Sequence, residues 1–366
     1  MKNNEEFYKE QFEESFDNEN LKYEEITKSK LIISLIGDVN SGKSSTINAL
    51  TGRKLSDVSA FAGETKDVKF YKYSDNVFIE DTPGLNDINQ EVSRKAVESV
   101  DKDSDIIMLF FNAAVGASKP IVDTYHRLKK LNRPIIIVLN YIDIWYENGR
   151  LTDYESYNTV ISQIESETGQ KVIPISARKN INIDKLSNKI VESLQYEGKD
   201  LLFLKISRYK EENVKGWING AAVSAFGIGL IPIPGADIIP LTTLQVALAL
   251  RIAYIYNCKA TKNDVMSLVG STITGSFGKQ LFKLGIQSLK GLGWLGGPLG
   301  EGAVMALAGA VASSVTFAFG WACNAYYKSG MQMDLGEMGQ IFKDKYKESY
   351  ESFSRKSKSE VASTTL

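Results

Sequence analysis

Residues 37–44, with the sequence GDVNSGKS, have the types and spacing that bind a phosphate chain. They fit the pattern G-x-x-x-x-G-K-[ST] between the strand-like run LIISLI and a helix-like segment. Glycines let backbone N–H groups surround phosphates at the positive end of a helix. Lys43 would reach the β and γ oxygens, and the Ser44 hydroxyl would coordinate Mg²⁺. The predicted phosphate-binding residues are Asp38, Val39, Asn40, Ser41, Gly42, Lys43, Ser44 and Ser45.

A second motif, DTPG at residues 81–84, follows the apolar run NVFIE. The Asp81 carboxylate can hold Mg²⁺ through water, while the N–H of Gly84 can bond a γ-phosphate and release it after hydrolysis. Between the two motifs lies FAGETKDV, in which Thr65 is the best candidate for a hydroxyl that ligates Mg²⁺ only with the triphosphate bound. The predicted metal ligands are Ser44, Thr65 and Asp81, and the predicted catalytic residues are Lys43, Thr65 and Gly84.

A third motif, NYID at residues 140–143, directly follows the apolar run PIIIVL and predicts the choice of base. The Asp143 carboxylate can accept hydrogen bonds from the N1–H and the exocyclic amine of guanine. Adenine cannot satisfy it, and a buried charge would then stay unpaired. A backbone N–H for guanine O6 is expected from the run after KVIPI. We therefore predict a guanine site formed by Asn140, Asp143, Ser176, Ala177 and Arg178.

The elements that must position these residues can be predicted from the alternation of apolar runs. From residue 31 to about 195, strand-like runs alternate with helical patterns, which is typical of an α/β fold around a mostly parallel sheet. The six runs predicted as strands are LIISLI, VKFYKY, NVFIED, DIIMLFF, PIIIVLN and KVIPIS. From about residue 200 onward, strand signals vanish and Ala, Gly and Leu-rich helical stretches follow. We predict three parts: an N-terminal helical segment at 1–30, a nucleotide-binding domain at 31–197 and an all-α domain at 198–366.

Composition narrows the classes of partner and compartment. The chain has 366 residues, 43% of them hydrophobic, and a net charge of −1. Balanced charge gives no basic surface for binding a phosphate backbone, so the composition disfavours nucleic acid as a partner. Cys258 and Cys323 lack the spacing of a metal site or a disulfide framework, and we expect core thiols in a reducing compartment. The acidic N-terminus has no apolar run of the secretory type, so we expect a cytoplasmic nucleotide-binding domain.

Taken together, GDVNSGKS, Thr65, DTPG, NYID and the SA dipeptide at 176–177 resemble the translation-factor-related class of P-loop GTPases, in its Era-like and TrmE-like branch. The resemblance covers the α/β part of the chain. It implies a six-stranded sheet, GTP hydrolysis with Mg²⁺, and switch segments near residues 53–67 and 82–95. In TrmE-like proteins an Asn at the position of Asn40 helps to bind K⁺ beside the phosphates. An Asn that only stabilises the loop is the equal alternative here.

Two residues depart from the family pattern. Tyr141 stands where the family usually has Lys, and its ring can cover the base by stacking, so we expect altered nucleotide affinity and unchanged guanine choice. Leu85 stands where Ras-like proteins place a water-orienting Gln. We therefore expect slow hydrolysis unless dimerisation or a partner completes the site.

The C-terminal half carries two long apolar stretches. Residues 216–250 contain Asp237 as their only charged residue, and residues 302–327 contain none. Each is long enough to span ~30 Å of hydrocarbon at ~1.5 Å per helical residue. Their small residues suit a membrane hairpin and a tight soluble bundle alike. The run GIGLIPIPGADIIPLTTLQVALALRIAYIY resembles a bacterial domain of unknown function found after Era-like domains and, in layout, the immunity-related GTPases. That resemblance implies nucleotide-controlled self-association at a membrane surface.

These observations predict a GTP-binding and GTP-hydrolysing switch on the cytoplasmic side, whose helical domain associates peripherally or integrally with a membrane through residues 200–330, or self-assembles. The expected partners are GTP and GDP, lipid and a second copy of the chain. One alternative is an interaction scaffold with negligible hydrolysis. Another is a soluble assembly GTPase acting on ribosomes or tRNA, which the neutral charge disfavours.

Overall fold

The computed structural model describes residues 4–55, 58–62, 69–82, 100, 104–230, 238–273 and 298–363. The chain forms two compact units. The α/β unit comprises residues 25–210, and the helical unit comprises residues 1–24 together with 211–366. The helical unit is therefore discontinuous in sequence, since the whole α/β unit lies between its two segments.

The α/β unit is built on one sheet. Its strands are β1 Leu31–Gly37, β2 Ser59–Ala62, β3 Lys69–Lys72, β4 Val77–Asp81, β5 Ile106–Asn112, β6 Ile135–Asn140 and β9 Val172–Pro174. They lie in the order β2-β3-β4-β1-β5-β6-β9. β1 pairs in parallel with β4 and β5, β5 with β6, and β6 with β9, whereas β3 is antiparallel to both β2 and β4, so the sheet is mostly parallel. A separate hairpin consists of β7 Tyr146–Glu147 and β8 Arg150–Leu151.

This sheet has seven strands in the described part of the chain, so the expectation of six is wrong by one. The additional strand is β2 at the sheet edge, with the sequence SAFA. Its four residues are too few to show an alternating pattern, and it is held by backbone pairing with β3, from Ser59 opposite Lys72 to Ala62 opposite Lys69. The six predicted runs correspond to the other six strands.

The central strands are continuous apolar runs because both of their faces are covered. All residues of β5 from Ile106 to Phe111 are buried, as are most of β1 and β6. The α-helices that lie wholly within the described part of this unit are α2 Lys43–Thr51, α3 Lys119–Leu128, α4 Tyr154–Thr168, α5 Ile183–Gln195 and α6 Asp200–Ile206.

The carboxyl ends of parallel strands meet at one edge of a sheet, where ligands of open α/β folds bind. Gly37, Asp81 and Asn140 end β1, β4 and β6 at that edge.

The helical unit is formed by long helices with small residues at their closest contacts. Its helices are α1 Asn4–Lys28, which continues into the α/β unit, α7 Lys210–Gly229, α8 Ile238–Ile255, α9 Lys262–Ile273, α10 Pro298–Lys328 and α11 Leu335–Ser363. α10 packs against α8, α9 and α11. α7 approaches α10 so closely that a Cβ on Gly229 would lie 2.8 Å from the Cα of Gly309.

The N-terminal helix α1 packs within the helical unit. Phe12 and Phe16 are buried. The Oγ of Ser15 lies 2.9 Å from the Oγ1 of Thr243 on α8, and the ring of Tyr23 stacks on that of Tyr254, with centroids 5.4 Å apart. Lys262 also forms an ion pair with Asp17 at 2.8 Å. The first segment of the chain is therefore part of the helical unit's core.

The two apolar stretches lie in α7, α8 and α10, and Asp237 lies outside the described residues. Of the helices that the structure describes, none is both long and apolar enough to cross a bilayer. α10 has no charge from residue 302 to 327 but carries buried polar side chains, which lower its hydropathy: Ser313, Ser314, Thr316 and Asn324.

Candidate functional site

The loop between β1 and α2 has the shape of a phosphate cradle. Residues 38–42 connect the end of β1 to Lys43, where α2 begins. Asn40 and Gly42 have positive φ angles of 61° and 85°. A Cβ on Gly42 would lie 2.0 Å from the Nδ2 of Asn140, so only glycine fits there. The loop thus presents the N-terminus of α2 to a ligand, which favours an anion.

Lys43 is held inside this loop. Its Nζ donates to the carbonyl oxygens of Gly37 and Asp38, each at 3.1 Å. Burial lowers the pKa of the Lys43 ammonium, and the nearby Asp81 and Asp38 carboxylates oppose that shift. The Lys43 ammonium, which is predicted to bind the phosphates, therefore lies within the loop whose backbone N–H groups are also predicted to bind them.

Two of the predicted metal ligands are neighbours. The Oγ of Ser44 lies 3.5 Å from Oδ2 of Asp81 at the end of β4. Burial raises the pKa of the Asp81 carboxyl, while Lys43, the Ser44 hydroxyl and Lys69 oppose that shift. Oδ1 of Asp81 is buried and has no hydrogen-bond partner among the described residues. A hydroxyl beside a carboxylate with one unbonded oxygen is a donor set that fits Mg²⁺. Thr65 and Gly84 lie outside the described residues.

Asn140 connects the phosphate loop with the two loops of the predicted base site. Its Nδ2 donates to the carbonyl oxygen of Ser41 at 3.1 Å, and its Oδ1 accepts from the N–H groups of Tyr141 at 2.8 Å and Ala177 at 3.1 Å. The side chain is 1% exposed. Three of its hydrogen-bonding positions are thus used inside the protein. Asn140 therefore holds the phosphate loop and the two base-site loops in one arrangement.

Tyr141 also contacts the phosphate loop. Its hydroxyl donates to the carbonyl oxygen of Asn40 at 2.9 Å. Its φ of 68° lies in the left-handed region, which costs a residue with a large side chain roughly 1–2 kcal/mol. The ring of Tyr141 is expected to cover the base, and the contact of its hydroxyl with Asn40 is an additional feature that the structure shows.

Asp143 lies on the short 3₁₀ helix Ile142–Trp145, which follows β6. Its Oδ1 accepts from the Ser176 hydroxyl at 2.6 Å, and the Oγ of Ser176 accepts from the N–H of Lys179 at 3.1 Å. The amides of Ser176 and Ala177 donate to Ile181 and Asn140. Of the three residues predicted to supply an N–H to guanine O6, only Arg178 has an amide without an acceptor in the described part of the chain.

An open cleft of about 480 Å³ adjoins these residues. It is lined by Ser45, Asn48, Ala49, Ala177, Arg178, Asn180 and Arg208. The Oδ1 of Asn48 accepts from the N–H of Leu55 at 2.6 Å, and the Oδ1 of Asn180 accepts from the Tyr209 hydroxyl at 2.9 Å. Neither amide NH₂ group has an acceptor in the described part of the chain, and the residues named above include no carboxylate.

Asn48, Asn180 and Arg208 belong to no predicted motif. Arg208 follows α6, and its N–H donates to the carbonyl oxygen of Leu50 at the end of α2. Only the fold brings these segments together, and a single sequence carries no signal for it.

Comparison with known proteins finds a family model and several relatives that match part of the chain. Residues 32–141 match the family model described as 50S ribosome-binding GTPase. The chain is 28% identical over 185 residues to GTPase Era of Aquifex aeolicus, and this match covers 46% of this chain and 58% of that protein. It is 30% identical over 188 residues to GTPase Era of Clostridium botulinum, covering 48% and 61%. It is 27% identical over 196 residues to GTPase Der of Clostridium kluyveri, covering 50% and 42%. The chain thus spans about half the length of the curated relatives it matches.

Solved structures include an Era complex with MgGDPNP and nucleotides 1506–1542 of 16S ribosomal RNA, at 25% identity and a TM-score of 0.34. The match covers 45% of this chain and 57% of that chain. The FeoB G-domain from Methanococcus jannaschii matches at 23% identity and a TM-score of 0.32, covering 46% and 99%.

Proposed function

We propose that the protein is a guanine-nucleotide switch that binds GTP and hydrolyses it to GDP, because residues 32–141 match a GTPase family model and part of the chain is similar in sequence to Era and Der. One observation carries the proposal. Lys43, Ser44, Asp81 and Asp143 lie at or shortly after the carboxyl ends of the motif-bearing strands β1, β4 and β6, at one edge of the sheet. Each has the chemistry that its motif requires.

Guanine is the base that fits this site. Asp143, held by Ser176, accepts from N1–H and the exocyclic amine, and the free amide of Arg178 donates to O6. Asn48 and Asn180 line the adjoining cleft, and their NH₂ groups would donate to an acceptor-rich edge of a ligand. An adenine nucleotide would present an amine where a carbonyl is needed and leave the Asp143 carboxylate unpaired.

The phosphates are bound by the loop at residues 38–45. Lys43 and the N–H groups at the start of α2 offset negative charge on the β and γ oxygens, which grows as water attacks the γ-phosphorus in line. Ser44 and Asp81, with Thr65, would hold Mg²⁺, which supplies further charge neutralisation when bound. Gly84 is the proposed donor that responds to the γ-phosphate. With Leu85 in place of a water-orienting Gln, basal hydrolysis is slow.

Two further proposals concern what raises the rate of GTP hydrolysis and where the protein acts. Asn40, at the exposed crest of the loop, would contribute to a K⁺ site beside the phosphates. The helical unit would couple the nucleotide state to self-association or to peripheral binding at a membrane surface. The net charge of −1 favours these partners over RNA, although an Era relative was solved with 16S ribosomal RNA.

The test is nucleotide binding and multiple-turnover hydrolysis by the full-length protein. We expect GDP and GTP to bind in preference to ATP, in a Mg²⁺-dependent manner, and Lys43→Ala to abolish hydrolysis. The rate should rise with protein concentration and be higher in KCl than in NaCl. The protein should float with liposomes more with a non-hydrolysable GTP analogue than with GDP. Equal competition by ATP would refute the guanine switch, and flotation in neither state would refute the membrane role alone.

A further inference from the structure

Two consecutive carbonyl groups of the phosphate loop are bound by two consecutive residues from the base-site motif. The Tyr141 hydroxyl donates to the carbonyl oxygen of Asn40 at 2.9 Å, and Nδ2 of Asn140 donates to that of Ser41 at 3.1 Å. The Tyr141 hydroxyl also lies 3.2 Å from the position of a Cβ on Gly42. The pair therefore lies directly against the crest of the loop.

Because each peptide group is planar, the contacts that orient these two carbonyl groups also orient the N–H groups of the following residues. In a planar trans peptide the C=O and the N–H point in opposite directions. With the Ser41 carbonyl turned toward Asn140, the N–H of Gly42 points to the other side of the loop. With the Asn40 carbonyl turned toward Tyr141, the N–H of Ser41 points back into the loop, where it donates to Asp38 at 3.1 Å.

The conformation of Asn40 makes the Tyr141 contact important. Asn40 has a φ of 61°, in the left-handed region that residues other than glycine adopt at a cost. A hydrogen bond to its carbonyl stabilises that turn against relaxation to an ordinary conformation. Tyr141 is itself fixed, because its N–H donates to Oδ1 of Asn140 and its ring packs against the hydrophobic core of the α/β unit.

We propose that Tyr141 is a positioning residue for the phosphate loop: its neutral hydroxyl braces the Asn40 peptide and so sets affinity for the β-phosphate of the nucleotide. The ring's contact with the base is secondary. The ligand concerned is a guanosine di- or triphosphate, so this inference rests on the proposed function. It assigns a role to a residue that departs from the Lys usual at this position.

The test separates the hydroxyl from the ring. Tyr141→Phe keeps the ring and removes the donor, and Tyr141→Leu removes both. Loss of one neutral hydrogen bond corresponds to a factor of about five in affinity. We expect Tyr141→Phe to weaken GDP binding by about that factor. Its affinity for GMP, which has no β-phosphate and binds weakly, should stay within about twofold of the wild-type value. If Tyr141→Phe binds GDP like the wild type while Tyr141→Leu weakens GDP and GMP equally, base stacking is the role and the proposal is wrong.

A second measurement does not depend on any nucleotide. In the nucleotide-free protein, hydrogen–deuterium exchange of the peptide covering residues 37–43 should rise in Tyr141→Phe, because the brace on Asn40 is lost. The matched control is Tyr256→Phe, which removes a hydroxyl bonded to Asn324 at 3.0 Å in the helical unit and should leave that exchange unchanged. Unchanged exchange in Tyr141→Phe overturns the brace. Failure of the wild type to bind GDP, with raised exchange in Tyr141→Phe, instead refutes the proposed function alone.

Discussion

At the scale of single residues, we propose that Asp143 selects the base. Asp143→Asn replaces a double acceptor with a group that also donates, which suits the extra carbonyl of xanthine. We expect GTP affinity to fall by a factor of roughly 10–100, the range for a lost hydrogen bond to a charged group, and affinity for xanthosine triphosphate to rise. Calorimetric titration measures both. Asp184→Asn, at an exposed position in the first turn of α5, is the control, and unchanged GTP binding in Asp143→Asn would remove Asp143 from the site.

The Asp81 carboxylate is expected to lower the stability of the nucleotide-free protein, although it is also the proposed Mg²⁺ ligand. Its buried Oδ1 has no partner among the described residues, and burial raises the pKa of its carboxyl. A neutral amide costs less to bury than a carboxylate. Asp81→Asn should therefore raise the melting temperature of the nucleotide-free protein and remove the gain in GDP affinity that Mg²⁺ provides. Thermal unfolding and GDP titration, each with Mg²⁺ and with EDTA, measure the two effects. A lower melting temperature without nucleotide would contradict this account.

The sequence predicts the residues of a local motif better than the contacts between motifs. Lys43, Ser44 and Asp81 were predicted together because each motif carries its own spacing and strand context, and the structure places them side by side. The hydroxyl contact of Tyr141 was not predicted. It depends on the distance between two loops that are far apart in sequence, which no local pattern encodes.

At the scale of elements, the helical unit depends on glycines where helices meet. A Cβ on Gly320 of α10 would lie 2.7 Å from Cγ1 of Ile218 on α7. Gly320→Ala should therefore destabilise the helical unit by about 1–3 kcal/mol through overpacking. Gly216→Ala, on an exposed position of α7 with nothing within 4 Å, should instead stabilise it by roughly 0.5–1 kcal/mol. Urea unfolding gives both values, and two changes of the same sign would refute this packing.

Strands that lie within apolar runs were predictable, and the edge strand β2 was not. The six apolar runs predicted as strands owe their signal to burial, which selects Ile, Leu, Val and Phe along β1, β5 and β6. β2 has no such signal because its pairing is made by backbone groups at a sheet edge. The helical character of the C-terminal half was likewise predicted from composition, and the burial of Phe12 and Phe16 on α1 is seen in the folded chain.

At the scale of the whole molecule, the two units differ in continuity. Residues 25–210 form a continuous segment, so this fragment should fold alone and bind GDP as the full chain does. Residues 211–366 lack α1, and the surface that covers Phe12 and Phe16 becomes exposed in that fragment. We expect it to aggregate, and to become monodisperse when residues 1–24 are fused to it through a flexible linker. Size-exclusion chromatography and circular dichroism distinguish the cases. A well-folded, monodisperse 211–366 fragment would show that α1 is dispensable.

The discontinuity of the helical unit also sets the order of events during synthesis. Residues 1–24 leave the ribosome first, but α8 is made only after the entire α/β unit. At about 5–20 residues per second, the interval is on the order of ten seconds to a minute. The face of α1 that carries Phe12 and Phe16 is therefore accessible to chaperones, or to other nascent chains, for that whole period before the helices it packs against exist.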